Sequence, residues 1–199
     1  MLGDYTPPVP ESECVTVLQG MKQEAPDGVK VSYAMGSGFS EADEHEKAKA
    51  MALAEESDVI VAVVGGSSSR FGGAVFDANG AASKGTGSRS MDCGEGMDTA
   101  KVHIPAAQEE LIAALARLGK PLVTVVIAGR AYCIEKIENA SDAVLYAFYP
   151  GPMGGRAVAE LLYGSSNPSG RLPVSMPRHV GQIPVCYNYR TSVARRTVI

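Results

Sequence analysis

The chain has 199 residues, 45% of them hydrophobic and 20% charged. That length and balance fit one globular domain and exclude a disordered chain. A net charge of -4 without a basic stripe argues against nucleic acid or anionic membrane as a partner. No apolar run approaches the roughly 20 residues of a membrane helix.

Helix and strand signals alternate along the chain. Residues 14–25 read as a helix stopped near Pro26, and 29–34 (Val29, Val31 and Tyr33 against Lys30 and Ser32) alternate like a strand. Residues 41–56 form an Ala-, Glu- and Lys-rich helical stretch. The run 58–64, with five consecutive apolar residues from Val59 to Val63 followed by Val64, reads as a strand buried on both faces. Pro105 opens a helix that carries Leu111, Ile112, Leu115 and Leu118 on one side and stops at Gly119. Residues 121–127 form a second buried strand. A short helix at 133–139 and a third strand at 143–149 follow. Gly154 and Gly155 open a last helix with Val158, Leu161 and Leu162, stopped at Gly164.

This order predicts an α/β fold, a three-layer α/β/α sandwich with a mostly parallel sheet. Three regions are expected: 1–28 as an entry segment with the first helix, 29–178 as the sandwich, and 179–199 as a tail leading onward. The four cysteines, Cys14, Cys93, Cys133 and Cys186, are dispersed and expected to be free thiols. Neither they nor His45, His103 and His179 have metal-ligand spacing, so no metal and no cofactor is expected. The first residues, Met1 to Tyr5, lack the charged and apolar regions of a signal peptide. A soluble protein is expected, either cytoplasmic or exported by a signal removed upstream.

The Gly- and Ser-rich segment 66–104 interrupts this regularity. A loop this long is usually functional or disordered. It leaves the C-terminal end of a buried strand, where open α/β sheets place their ligand sites. Gly65-Gly66-Ser67-Ser68-Ser69 could form a phosphate-binding turn, but it lacks both G-x-G-x-x-G and the P-loop spacing. A flavodoxin-like module binding a nucleotide or a sugar is the alternative reading. Farther along, Asp92, Glu95 and Asp98 place three carboxylates in seven positions. Crowded carboxylates raise one another's pKa, and a carboxyl held protonated near neutral pH can act as a general acid. A solvated acidic turn would have the same composition.

Several longer segments resemble family 3 glycoside hydrolases of the β-glucosidase/β-xylosidase type. Residues 147–159, from Ala147-Phe148-Tyr149-Pro150-Gly151 to Gly154-Gly155-Arg156-Ala157, resemble that family's A-W-Y-P-G-Q-x-G-G-x-A. Residues 164–177, with Asn167-Pro168-Ser169-Gly170-Arg171-Leu172-Pro173, and residues 181–188, beginning Gly181-Gln182-Ile183-Pro184, are similar to two further family segments. Ile104-Pro105-Ala106-Ala107-Gln108 resembles L-P-G-x-Q, and Gly119-Lys120-Pro121 and Gly129-Arg130 fall in place between them. Leu2-Gly3-Asp4-Tyr5 resembles the segment that follows the family's barrel. The set spans nearly the whole chain in order.

The resemblance implies the C-terminal α/β sandwich of a retaining, exo-acting β-glycosidase. Its partners would be a β-linked sugar or oligosaccharide and an N-terminal barrel of the same polypeptide, which would carry the nucleophile. It implies Glu95 as general acid/base, with Asp92 as second candidate. Ser68, Ser69, Arg70 and Asp98 are the expected substrate contacts. Thr99 stands where the family usually has an arginine, which puts the placement of Asp98 in question.

Overall fold

The structure is a computed structural model that describes the chain except residues 4–5, 7–8, 69–74, 77–81, 84–90, 95–96, 187 and 189–199. Its centre is a parallel sheet of three strands, β1 (Ile60–Gly65), β2 (Leu122–Ile127) and β3 (Ala143–Tyr146), in the order β1-β2-β3. The register pairs Ile60 with Leu122 and Val123 with Ala143. Because side chains alternate across a strand, each strand sorts its residues onto two faces. Ile60, Ala62, Val64, Leu122, Val126 and Ala128 point to one face. Val61, Val125, Ile127 and Leu145 point to the other.

Helices cover both faces. On the first lie α2 (Glu44–Glu55), α3 (Ala106–Ala116) and α4 (Glu135–Ala140). They contribute Ala54, Leu111, Ile112, Leu115 and Ile137 to the larger core. On the second lie α1 (Val17–Gln23) and α5 (Gly154–Leu162), which bring Val17 and Val158 onto Val125. The three-layer α/β/α sandwich is therefore the fold of the chain.

Local chemistry explains the element ends. Thr16 caps α1 in a reciprocal box with Gln19, so the helix starts at Val17 and not at Cys14. Asp43 caps α2 through the amides of His45 and Glu46, which moves that start to Glu44. α1 and α5 approach closely enough that a Cβ on Gly20 would sit 2.2 Å from the Gly155 carbonyl oxygen. The third strand ends at Tyr146, shorter than its apolar run, because Phe148 takes a positive φ of 51° and turns the chain.

Two expectations are corrected. Residues 29–34 form no strand, and Val29 and Tyr33 are exposed. The alternation is present, but among the described residues no neighbouring strand completes a ladder with it. The stretch 58–64 is also not buried on both faces. Val59 is 54% and Val63 is 47% exposed, because β1 is an edge strand. All four cysteines are free. No helix among the described residues is long and apolar enough to cross a membrane.

Candidate active site

The segments leaving the C-terminal ends of the three strands converge at one edge of the sheet. Gly65, Gly66, Ser67 and Ser68 follow β1; Gly129 to Tyr132 follow β2; Phe148 and Tyr149 follow β3. This is the edge at which open α/β sheets bind ligands.

A small network binds these segments together. Asp92 accepts from the Ser67 amide through Oδ1 at 2.8 Å and from the Tyr132 hydroxyl through Oδ2 at 2.6 Å. The Ser67 carbonyl accepts from the amides of Asp92, at 2.9 Å, and Cys93, at 3.3 Å. Asp92 thus ties the far end of the long loop to its own beginning. Gly66 is required at this junction, since a Cβ there would meet the Tyr132 oxygen at 2.1 Å and Asp92 Oδ1 at 2.8 Å. A second tie lies farther along, where the Cys133 amide donates to the Val102 carbonyl and His103 bridges Cys133 in parallel.

Beside Asp92, the buried Cys93 sets its Sγ 3.5 Å from the Tyr149 hydroxyl. Tyr149 also bonds Ser68, which is itself buried. The Tyr149 ring fills the space that a Cβ on Gly129 would need, 2.4 Å from its Cε2. Burial pushes the pKa values of Tyr132 and Tyr149 above the usual phenol value. For Tyr132 the hydrogen bond to the Asp92 carboxylate adds to this, because it holds the phenol in its neutral, donating form. Tyr146, whose hydroxyl donates to the Arg130 carbonyl, is pushed by burial up to about 12. The result is a layer of neutral tyrosines beneath the loop.

The expected site residues fall as follows. Ser68 lies inside the network, and Asp92 has both oxygens engaged within the chain. Asp98 is exposed and stands next to Thr99, whose hydroxyl donates to the Lys101 carbonyl at 2.8 Å. Glu95, Ser69 and Arg70 lie outside the described residues. The residues flanking Glu95 and Gly96 are linked to each other, the Met97 amide donating to the Gly94 carbonyl at 3.2 Å. Sequence reasoning did not single out Tyr132 or Cys93 for the site, and it saw Tyr149 and Gln108 only as parts of motifs. Their partners lie 40 to 69 positions away, beyond any local pattern.

The same geometry speaks against a phosphate site at the Gly65–Ser67 turn. A phosphate cradle needs free amides pointing at the ligand. Here the Gly65 amide donates to Gln108 Oε1, the Gly66 amide to the Ile127 carbonyl and the Ser67 amide to Asp92. The Asp92 carboxylate also stands where an anion would have to approach. Among the described residues no group of three or more His, Cys, Asp or Glu is arranged to hold a metal ion.

A three-layer α/β/α domain in which the two ends of a long loop are tied together at the C-terminal edge of its sheet is thus the class that fold and site define. Residues 1–198 match the glycosyl hydrolase family 3 C-terminal domain, and the chain belongs to that family. It is 34% identical over 95% of its length to a periplasmic beta-glucosidase of Salmonella typhimurium, covering 24% of that protein. It is likewise 34% identical over 94% of its length to a beta-xylosidase of Formosa agariphila, covering 22% of it. Among solved structures, a beta-glucosidase from Listeria innocua superposes with a TM-score of 0.74 at 29% identity, over 94% of this chain and 22% of that one. A β-glucosidase from Erythrobacter marinus also gives 0.74, at 32% identity, over 96% and 27%. The chain therefore spans about a quarter of the length of these relatives.

Proposed function

We propose that this chain is the acid/base half of a retaining, exo-acting β-glycosidase that hydrolyses β-glucosides or β-xylosides. Glu95 protonates the leaving oxygen and then activates water. The nucleophilic carboxylate comes from an N-terminal barrel of the same polypeptide. A retaining mechanism needs these two carboxyls about 5–5.5 Å apart on either side of the scissile bond. In the described network the Asp92 carboxylate is already engaged by two donors.

The observation that carries the reading is the clasp at Asp92. Its carboxylate is held by the Ser67 amide and the Tyr132 hydroxyl, three positions before Glu95. A carboxylate with both oxygens engaged by donors from two other segments serves as an anchor. We therefore assign Asp92 as a positioning residue and Glu95 as the catalytic residue. Ser68, Ser69, Arg70 and Asp98 contribute polar contacts around the sugar. The relatives named beta-glucosidase and beta-xylosidase supply the substrate class.

The test is a Glu95→Gln change in the full-length polypeptide. With an alkyl β-glycoside, whose leaving group needs protonation, kcat is expected to fall by about 10²–10⁴. The basic limb of the pH profile should vanish with it. An aryl glycoside with an acidic phenol should lose less in the step that forms the glycosyl-enzyme. Unchanged turnover of the alkyl glycoside in the variant would overturn the assignment.

A further inference from the structure

The segment that carries Glu95 is held at both ends by neighbouring residues of one connection. At its start, Asp92 accepts from the Tyr132 hydroxyl. At its end, the Cys133 amide donates to the Val102 carbonyl at 2.6 Å, and His103 pairs with Cys133 in a parallel bridge. Tyr132 and Cys133 are both buried and both lie between β2 and α4. Residues 92–103 are thus a short loop of their own, stapled to the core at two adjacent points.

The two staples differ in their side chains. In the first, both Asp92 oxygens have donors. The second is incomplete. Glu109, in the first turn of α3, reaches it with a side chain that is only 8% exposed. Its Oε2 accepts from Lys136 of α4 at 2.8 Å. Its Oε1 is buried and accepts no hydrogen bond from any described residue. His103 Nδ1 stands 3.4 Å from that oxygen, within ion-pair range and just beyond a hydrogen bond. A buried carboxylate oxygen without a donor is costly, and the first turn of a helix favours the ionised form.

The charges around this point come from four segments. α3 brings Glu109 and Glu110, and α4 brings Glu135 and Lys136. The loop itself brings Asp98 and Lys101, both exposed. Cys133, between β2 and α4, adds no charge, because burial and then the Glu109 and Glu135 carboxylates push its thiol up. Lys136 already bonds Oε2, and among the described residues only His103 stands within ion-pair distance of Oε1. The His103 side chain is 35% exposed, so it exchanges protons with solvent while its acceptor stays buried. Histidine is the side chain whose charge ordinarily changes between about pH 5 and 8.

We propose that His103 and Glu109 form a proton-dependent latch on the exit of this loop. With the imidazole protonated, Nδ1–H donates to Glu109 Oε1 and completes the second staple. When the proton leaves, the charge-assisted bond goes with it, and the backbone bond from Cys133 to Val102 carries the exit. The loop is therefore held more firmly at acidic than at alkaline pH. That the latch positions a catalytic carboxyl rests on the reading of Glu95 given above; the latch itself does not.

Hydrogen exchange and pH–rate profiles of the full-length enzyme test it. The Cys133 amide reports the second staple, since it donates to Val102. Corrected for the intrinsic rate, its protection is expected to fall about 5- to 30-fold from pH 5 to pH 8. His103→Gln supplies a donor that does not titrate and should remove the pH dependence. His103→Phe supplies none, and its protection should be low at both pH values. The ratio of kcat at pH 8 to kcat at pH 5 should be higher in His103→Gln than in the wild type, with KM unmoved, because titration of Glu95 is common to both. An equal ratio in the two proteins would overturn the part of the latch in catalysis. Wild-type protection that is the same at both pH values would overturn the latch and leave the functional reading standing. So would a pH dependence that survives in His103→Phe, which would belong to another group. The expected protection pattern in an enzyme that hydrolyses no β-glycoside would support the latch and overturn the functional reading.

Discussion

Tyr132 and Asp92 are 40 positions apart in the chain, yet the Tyr132 hydroxyl donates to Asp92 Oδ2 at 2.6 Å. Tyr132 is 1% exposed and follows β2, whereas Asp92 belongs to the long loop after β1. The contact joins a rigid part of the core to the segment that carries Glu95.

Removing either partner should loosen that segment. Tyr132→Phe and Asp92→Asn are each expected to cost about 1.5–3 kcal/mol, the range for hydrogen bonds to charged groups. Because they remove one shared interaction, the double variant should cost clearly less than the sum. In the full-length enzyme both should lower kcat more than they raise KM if Glu95 is the acid/base residue proposed above, since they disturb the segment that carries it. Urea unfolding and steady-state kinetics on the four proteins measure this. Strict additivity would show that the two residues do not act through each other.

The isolated 1–199 chain should hydrolyse no aryl β-glycoside measurably. Losing one of two cooperating catalytic groups typically removes most of the rate. Turnover of a nitrophenyl glucoside or xyloside by the purified chain, abolished by Glu95→Gln, would show that it holds a complete site.

Gly20→Ala should destabilise the α1-α5 layer. The new Cβ would sit 2.2 Å from the Gly155 carbonyl oxygen and 2.8 Å from the Arg156 nitrogen, both backbone atoms that cannot turn aside. Overpacking of this kind costs about 1–3 kcal/mol. In a domain of this size that lowers the melting temperature by about 2–10 °C. An unchanged melting temperature would mean that the two helices separate without cost.

Alkaline pH should destabilise the fold through its buried tyrosines. Tyr146 is raised from the ordinary value of 10 to about 12, chiefly by burial. Between those values the unfolded chain loses the proton while the folded one keeps it, so stability falls as pH rises. Below pH 10 the contribution is complete, and by pH 12 it is being lost. Tyr132 and Tyr149 are shifted in the same direction and reinforce the trend. Melting temperatures measured from pH 8 to 12 should drop in that window, and Tyr146→Phe should flatten part of the drop. A flat profile would contradict the burial of these phenols.

The layers of the fold were legible because apolar periodicity is a local property. The stretches 121–127 and 143–149 overlap β2 and β3, and Gly119 and Gly164, both at positive φ, stop the helices they follow. Residues 29–34 show the limit of that method. Alternation predicts a strand, but a strand exists only with a neighbour, and none adjoins it among the described residues. The site was legible only in part. Asp92 and Ser68 could be singled out from an acidic cluster and a motif, but the roles of Tyr132, Tyr149 and Gln108 depend on contacts between distant segments. Tyr132 carries no periodic signal at all, since its partner belongs to another loop.

The tie between Ser67 and Asp92 closes a ring of chain between two residues 25 positions apart. Closing that ring costs the chain conformational entropy. That entropy grows slowly, by about 0.6 kcal/mol for each doubling of length. A change of length between the two anchors is therefore a small entropic cost beside the hydrogen bonds that Asp92 makes to Ser67 and Tyr132. Insertions or deletions between the two anchors would on this count cost the fold little, whereas loss of the Asp92 carboxylate would weaken the closure itself.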